Sequence, residues 1–202
     1  MSTDSQTLQS FLDTLASRAP TPGGGSGSAI IGAVGAALCG MVGRLNDKKD
    51  GEAGPLHETI DKADALRARL VELADADVAA FQDLMRCWKL PADAPDRQQQ
   101  MEAATIAATE APLAIMQTAF DVMTLALEGL DKSKKNCISD AGVAGLAAHA
   151  CLEGARLNVM INLPGFTDEA RRDGYRKQAD ALRFEGKNLA AEIRQRIDAL
   201  YV

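Results

Sequence analysis

Two stretches of this chain are so poor in side-chain bulk that few folds can use them. Residues 29–43 carry Gly32, Ala36 and Gly40 four apart, with Gly35 and Gly43 beside them. Residues 140–154 hold Gly142, Ala144, Gly145, Ala147, Ala148, Ala150 and Gly154. Glycine inside a helix costs up to about 1 kcal/mol against alanine, so a helix that keeps several needs a packing or binding reason. A stripe of missing side chains lets a second backbone come close, as in small-residue helix crossings. Sheets are disfavoured, because aromatics are only 4% of the chain and its apolar half is mostly Ala, Leu, Ile, Val and Met. The predicted fold class is therefore all-α: a single-domain bundle over residues 1–202, with long helices around glycine/alanine-rich central ones. Those central helices are also candidates for a subunit interface.

Periodicity and breakers divide the chain. A first helix is predicted over 4–17, with Leu8, Phe11, Leu12 and Leu15 on one face. It ends at Ala19-Pro20-Thr21-Pro22-Gly23-Gly24-Gly25-Ser26, where prolines forbid continuation and glycines admit backbone conformations closed to other residues. Ser26 or Ser28 is expected to cap the second helix, and residues 44–54 read as a charged loop. A long helix is predicted over 55–90 and another over 96–130, kinked or broken at Pro112. A basic turn through Lys132, Lys134 and Lys135 leads to a helix over 140–163, and Thr167 is expected to cap the last one. No fixed-period repeat is present.

The formal charge of −6 excludes a phosphate-tracking nucleic-acid binder. Cys39, Cys87, Cys137 and Cys151 form no C-x-x-C pair and have no histidine at metal-ligand spacing, so no metal site is predicted. Free thiols imply a reducing compartment. The N-terminus lacks a basic, apolar leader, and the most apolar stretch, 29–42, is short for a bilayer span. The expected setting is cytoplasmic, without a membrane partner.

Four constellations can carry chemistry. The stripe Leu56, Ile60, Ala63, Leu66, Leu70, Leu73, Phe81, Leu84, Trp88 has Asp77 in its gap. A carboxylate there must be paired, hydrogen-bonded or protonated, since uncompensated burial costs several kcal/mol. Gly23, Gly24 and Gly25 precede a helix N-terminus, whose N–H groups suit an anion or polar heterocycle; otherwise they form a tight turn. Asn136, Ser139 and Asp140 cluster ahead of a helix, where simple capping by Ser139 is the competing account. Asn158 and Asn162, four apart, share one helix face, and as buried amides they need partners. Lys48, Lys49 and Lys135 are solvated charges or anion contacts. His149, alone among alanines, reads as a core histidine.

The segment from Leu15 through Pro22, Gly23, Gly24, Gly25 and Ser26 resembles the start of the cyclodeaminase/cyclohydrolase family of folate enzymes. So do Asn136-Cys137-Ile138-Ser139-Asp140-Ala141-Gly142-Val143, the run from Gly154 through Asn158 to Asn162, and Asp77-Val78-Ala79-Ala80-Phe81. The blocks stand in the family's order and cover nearly the whole chain. Relatives often carry glycine, lysines and a tyrosine after the second helix. Here Arg44-Leu45-Asn46-Asp47-Lys48-Lys49-Asp50 keeps two lysines and loses the tyrosine.

The resemblance implies an all-helical homodimer acting on the one-carbon bridge of tetrahydrofolate. Methenyltetrahydrofolate cyclohydrolase comes first and formiminotetrahydrofolate cyclodeaminase second, with folate as substrate and no metal or redox cofactor. It places Asp77 and Asp140 at the chemistry, one as base and the other on the pterin's two-donor edge. Desolvation should raise Asp77 and a helix N-terminus should favour ionised Asp140, which makes Asp77 the better base. Pro22, Gly23, Gly24, Gly25, Ser26, Asn136, Ser139, Asn158 and Asn162 are the implied substrate contacts. Lys48, Lys49 and Lys135 are the implied contacts for the glutamate tail. A different class, a non-catalytic helical interaction module, would have no reason to keep Asp77, Asn158 and Asn162 on apolar faces.

Overall fold

The computed structural model describes residues 2–47 and 53–199. After a 3-10 turn at Thr3–Ser5 come α1 (Leu8–Leu15), α2 (Gly24–Asn46), α3 (His57–Trp88), α4 (Arg97–Lys132) and α5 (Ile138–Asn162). A 3-10 turn at Leu163–Gly165 then leads to α6 (Glu169–Asp198). No strand occurs among the described residues, so the all-α bundle stands.

Several boundaries differ from the sequence reading, each for a local reason. α1 starts at Leu8 because the Thr7 hydroxyl accepts from the Ser10 N–H at 3.1 Å. Neither serine caps α2. The helix already begins at Gly24, Ser28 Oγ donates back to the Gly24 carbonyl, and Ser26 faces α3. Residues 44–46, read as loop, close α2, where buried Asn46 donates to Val42 O and accepts from the Lys134 N–H. α5 starts two residues early, so Ser139 sits inside its first turn and makes no cap hydrogen bond. Asp168, not Thr167, caps α6 by accepting from the Arg171 N–H.

Pro112 does not break α4, which runs through it, fully enclosed. Proline removes the N–H that would reach the carbonyl four residues back. That carbonyl belongs to Ala108, and Asn162 Nδ2 donates to it at 2.6 Å.

The glycines do what their spacing predicts. A Cβ at Gly32 would strike Cys151 and Leu70, one at Gly35 would lie 2.9 Å from the Ala144 carbonyl oxygen, and one at Gly43 would strike Ile60. Rising α2 numbers meet falling α3 and α5 numbers, so α2 lies antiparallel between them. Gly142 and Gly145 seat Ile197 and Ile193 of α6 in the same way. Around these contacts Leu70, Ile115, Met116, Met123, Leu152, Val159 and Leu163 are fully buried, at about 1.5–3 kcal/mol each for the larger ones. All four cysteines are buried and unpaired, and burial pushes the Cys39 and Cys151 thiols up to about 12.

Most of the small residues are thus used inside the chain, with Ala37 and Ala150 left exposed. α2 and α5 also turn large apolar residues outward: Ile31, Val34, Met41 and Leu45 on one, Val143, Leu146, Leu157 and Ile161 on the other. α2 also proves longer than its most apolar core. By length and composition α2 and α4 both reach the requirement for a membrane span, and 56% of each such window is buried in the bundle.

Candidate active site

Where the N-terminal end of α2 passes α3 and the C-terminal end of α5, a cavity of about 220 Å³ opens. Its roof is the turn Pro20-Thr21 with Gly23, Gly24 and Gly25; α3 supplies Asp77 and Phe81, α4 Ala108, and α5 Asn158, Ile161 and Asn162. The turn contains a cis peptide at Thr21-Pro22, and Gln82 Nε2 on α3 donates to Thr21 Oγ1 at 3.2 Å.

The glycines here serve closeness, not unusual torsions. None has a left-handed φ, and Gly23, at the cap, has φ −126°. A Cβ on Gly25 would overlap the Asp77 carboxylate outright, one on Gly24 would touch the Asn158 amide at 3.4 Å, and one on Gly23 would meet only Pro20 O at 3.9 Å. Gly25 is therefore the position that lets the acid reach α2.

Among the described residues Asp77 is held by Ser26 alone. The Ser26 N–H donates to Asp77 Oδ2 at 3.0 Å, and Ser26 Oγ lies 3.1 Å from both that oxygen and Ala74 O. A hydroxyl has one hydrogen to give, so the two acceptors compete for it. No cation among the described residues neutralises the carboxylate. Burial raises its pKa above the ordinary aspartate value, and the Ser26 hydroxyl and N–H only partly oppose that. The direction is the one expected from the apolar stripe.

The two asparagines are fixed by their nitrogens. Asn158 Nδ2 donates to Gly154 O at 2.9 Å, while Asn162 Nδ2 donates to Ala108 O and Asn158 O. Their Oδ1 atoms and Asp77 Oδ1 receive no donor among the described residues. The pocket thus sets three acceptor oxygens, beside the first turn of α2, between the apolar walls of Phe81, Ile161 and Pro20. Such a lining suits a flat, donor-rich and cationic ring.

The chain gathers part of the expected site. Gly23, Gly24, Gly25, Asp77, Asn158 and Asn162 line one cavity, and Ser26 supports it from below. Pro22 faces a different cleft, between α1 and α3. Asp140, Ser139, Asn136 and Lys135 sit at the opposite end of α5: eighteen residues separate Asp140 from Asn158, about 27 Å of helix. Lys135, Asn136 and Ser139 are exposed there, and Asn136 Oδ1 faces the Cys137 thiol. Within one chain, then, Asp77 and Asp140 are not partners. Lys48 and Lys49 lie outside the described residues. Phe81 was visible as an apolar position one turn past Asp77, whereas Ala108 and Ile161 carried no signal that set them apart from core residues.

Fold and pocket define a class first: an all-helical bundle that presents a desolvated carboxylate and amide oxygens to a small cavity. Residues 7–181 match the formiminotransferase-cyclodeaminase family, and the chain belongs to it. It is 39% identical, over 93% of its length and 94% of the relative's, to a protein of Methylorubrum extorquens named methenyltetrahydrofolate cyclohydrolase. It is 33% identical to the formimidoyltransferase-cyclodeaminase of Sus scrofa over 95% of this chain, but spans only 37% of that longer protein. In fold it superimposes on the structure titled formiminotetrahydrofolate cyclodeaminase from Thermotoga maritima, with a TM-score of 0.86 at 24% identity, covering 98% of this chain and 99% of that one.

Proposed function

We propose that this protein is a methenyltetrahydrofolate cyclohydrolase, converting 5,10-methenyltetrahydrofolate and water reversibly into 10-formyltetrahydrofolate and a proton. The observation that carries the reading is the pocket of acceptor oxygens around Asp77, in a chain that matches the Methylorubrum extorquens relative over 93% of its own length and 94% of the relative's. The bridge carbon is an amidinium and already electrophilic. Asp77 takes a proton from water as the oxygen bonds to that carbon. The tetrahedral adduct then breaks its bond to N5, which receives the proton from Asp77. The remaining hydroxyl proton leaves to solvent as the formyl C=O forms on N10. Asn158 and Asn162 accept from the N–H groups of the pterin. As written, the reaction calls for no metal or redox cofactor.

The second reading, a formiminotetrahydrofolate cyclodeaminase, is favoured by the names of the longer relatives. Purified protein given each substrate separately decides between them. Loss of methenyl absorbance with no ammonia release from the formimino substrate is expected, and the reverse result would overturn the first reading. A non-catalytic interaction module would turn over neither.

The protein is proposed to act as a homodimer in the cytoplasm, without nucleic acid or membrane. Four free thiols suit a reducing compartment. The large apolar residues exposed on α2 and α5 support self-association. On α5 they mirror one another closely about positions 151–152: Val143 with Ile161, Leu146 with Leu157. An isologous two-fold pairs residue i with j and j with i, so antiparallel pairing of α5 with its copy uses this stripe. It would also carry Asp140, Ser139, Asn136 and Lys135 of the partner subunit toward the Asp77 pocket. That is how both implied carboxylates would serve one site.

A further inference from the structure

We propose that the p-aminobenzoyl-glutamate tail of the substrate leaves the pocket between α3 and α4, passing Phe81 and Trp88 and ending its carboxylates on Arg97. This rests on the folate reading above. The pocket, at about 220 Å³, is smaller than the roughly 300–1,000 Å³ of sites that enclose a whole ligand of this size. It has room for the ring system only, so the tail must lie elsewhere.

Two helix faces lead away from the pocket in step. Asp77, Phe81 and Trp88 share one face of α3, and Ala108, Met101 and Arg97 share one face of antiparallel α4. Each run spans eleven residues, about 16 Å. An aryl amide bearing glutamate has a similar reach by ordinary covalent dimensions. Phe81, a pocket wall, meets Trp88 edge-on with ring centroids 5.9 Å apart, and Trp88 leaves 53% of its surface exposed. The pair extends the apolar wall outward as a surface for a flat aryl ring.

Charge fixes the far end. A second cavity of about 520 Å³ lies on the same α4 face, lined by Arg97, Met101 and Thr105. Its acids are already engaged: Glu102 pairs with Arg171, and Asp168 caps α6. Arg97 is half-buried, its Nε donates only to Leu90 O at 3.4 Å, and it forms no ion pair among the described residues. A guanidinium left without an acid is a site for carboxylates, and a local cation matters where the net charge of −6 repels the tail.

Steady-state kinetics test this with two substrates: methenyltetrahydrofolate and its counterpart in which an uncharged methylamide replaces the glutamate. Arg97→Gln should raise KM for the first about tenfold with kcat kept, and leave KM for the second unchanged. Arg97→Lys should recover most of the loss. Trp88→Leu should raise KM for both substrates by a similar factor, because it removes the aryl contact. An unaltered KM in Arg97→Gln and in Trp88→Leu, in a protein that otherwise hydrolyses methenyltetrahydrofolate, would overturn the tail path alone. Failure of the unaltered protein to turn over or bind that substrate would overturn the cyclohydrolase reading itself.

Discussion

Asp77, the proposed base, couples the stability of the fold to pH. Its raised pKa means that the folded state holds a proton at pH values where the unfolded aspartate, titrating near 3.8, has lost it. Stability therefore falls as pH rises through the window between those two values and stays lower above it. Asp77→Asn should melt at a higher temperature than the unaltered protein at pH 7, with the difference shrinking below the carboxylate range. It should also lose about 10²–10⁴-fold in kcat, the usual worth of a positioned base. A thermal scan against pH, beside kinetics, checks both, and an active Asp77→Asn would move the base elsewhere. The Ser26 hydroxyl lowers the Asp77 pKa, so Ser26→Ala should shift the acid limb of kcat/KM to higher pH. The glycines of the turn separate just as sharply. Gly25→Ala should expel the carboxylate and cost about 1–3 kcal/mol of overpacking, whereas Gly23→Ala, whose Cβ would make only an ordinary contact with Pro20 O at 3.9 Å, should retain activity. Equal behaviour of the two in activity and melting assays would contradict the close-approach account.

At the scale of elements, the proline in α4 and the asparagine at the end of α5 are one device. Pro112 leaves the Ala108 carbonyl without its helical donor, and Asn162 takes it up, which turns the Asn162 oxygen toward the pocket. Restoring the N–H with Pro112→Ala should preserve or raise the melting temperature, since proline in a helix interior costs about 3 kcal/mol. It should also raise KM severalfold by giving Asn162 a competitor for its anchor. A KM equal to that of the unaltered protein would leave Pro112 a matter of packing only. The same economy appears in the roof of the pocket, where Gln82 and Ser26 tie the turn and the start of α2 to α3. The pocket is thus held by α3 and by a turn with little backbone regularity of its own.

For the whole molecule the decisive question is what covers the outward stripe of α2 and α5. Val34→Lys combined with Leu146→Lys should convert a dimer to a folded monomer, seen by light scattering with an unchanged far-ultraviolet spectrum. If the partner subunit's Asp140 completes the pocket, Asp77→Asn and Asp140→Asn proteins should each be inactive alone. After mixing and exchange they should recover about a quarter of full activity, because half the dimers are mixed and each of those holds one intact site. No recovery on mixing would confine the chemistry to one chain, with Asp140 a structural charge at the start of α5.

The sequence by itself determined the helical class, the close-packing role of the glycine stripes and the conflict at Asp77, because each follows from local periodicity and side-chain volume; that the stripes pack within one chain came from the structure. Helix spacing alone put Asn158 and Asn162 on one face, and the apolar stripe of α3 alone predicted a raised carboxylate. What only the tertiary structure decided is which of these features meet. The sequence put both Asp77 and Asp140 at the chemistry, with Asp77 the better base, yet a rigid helix about 27 Å long stands between the two groups of residues they belong to. Asp77 meets Gly25 because α2 and α3 run antiparallel with no Cβ between them. The starts of α2, α5 and α6 were misplaced for a related reason: several residues there can serve as caps, and the choice depends on what lies across the bundle. Ser26 is spent on α3, so α2 begins without a side-chain cap. Local propensity sets the elements, and long-range packing decides which polar atoms are left free for chemistry.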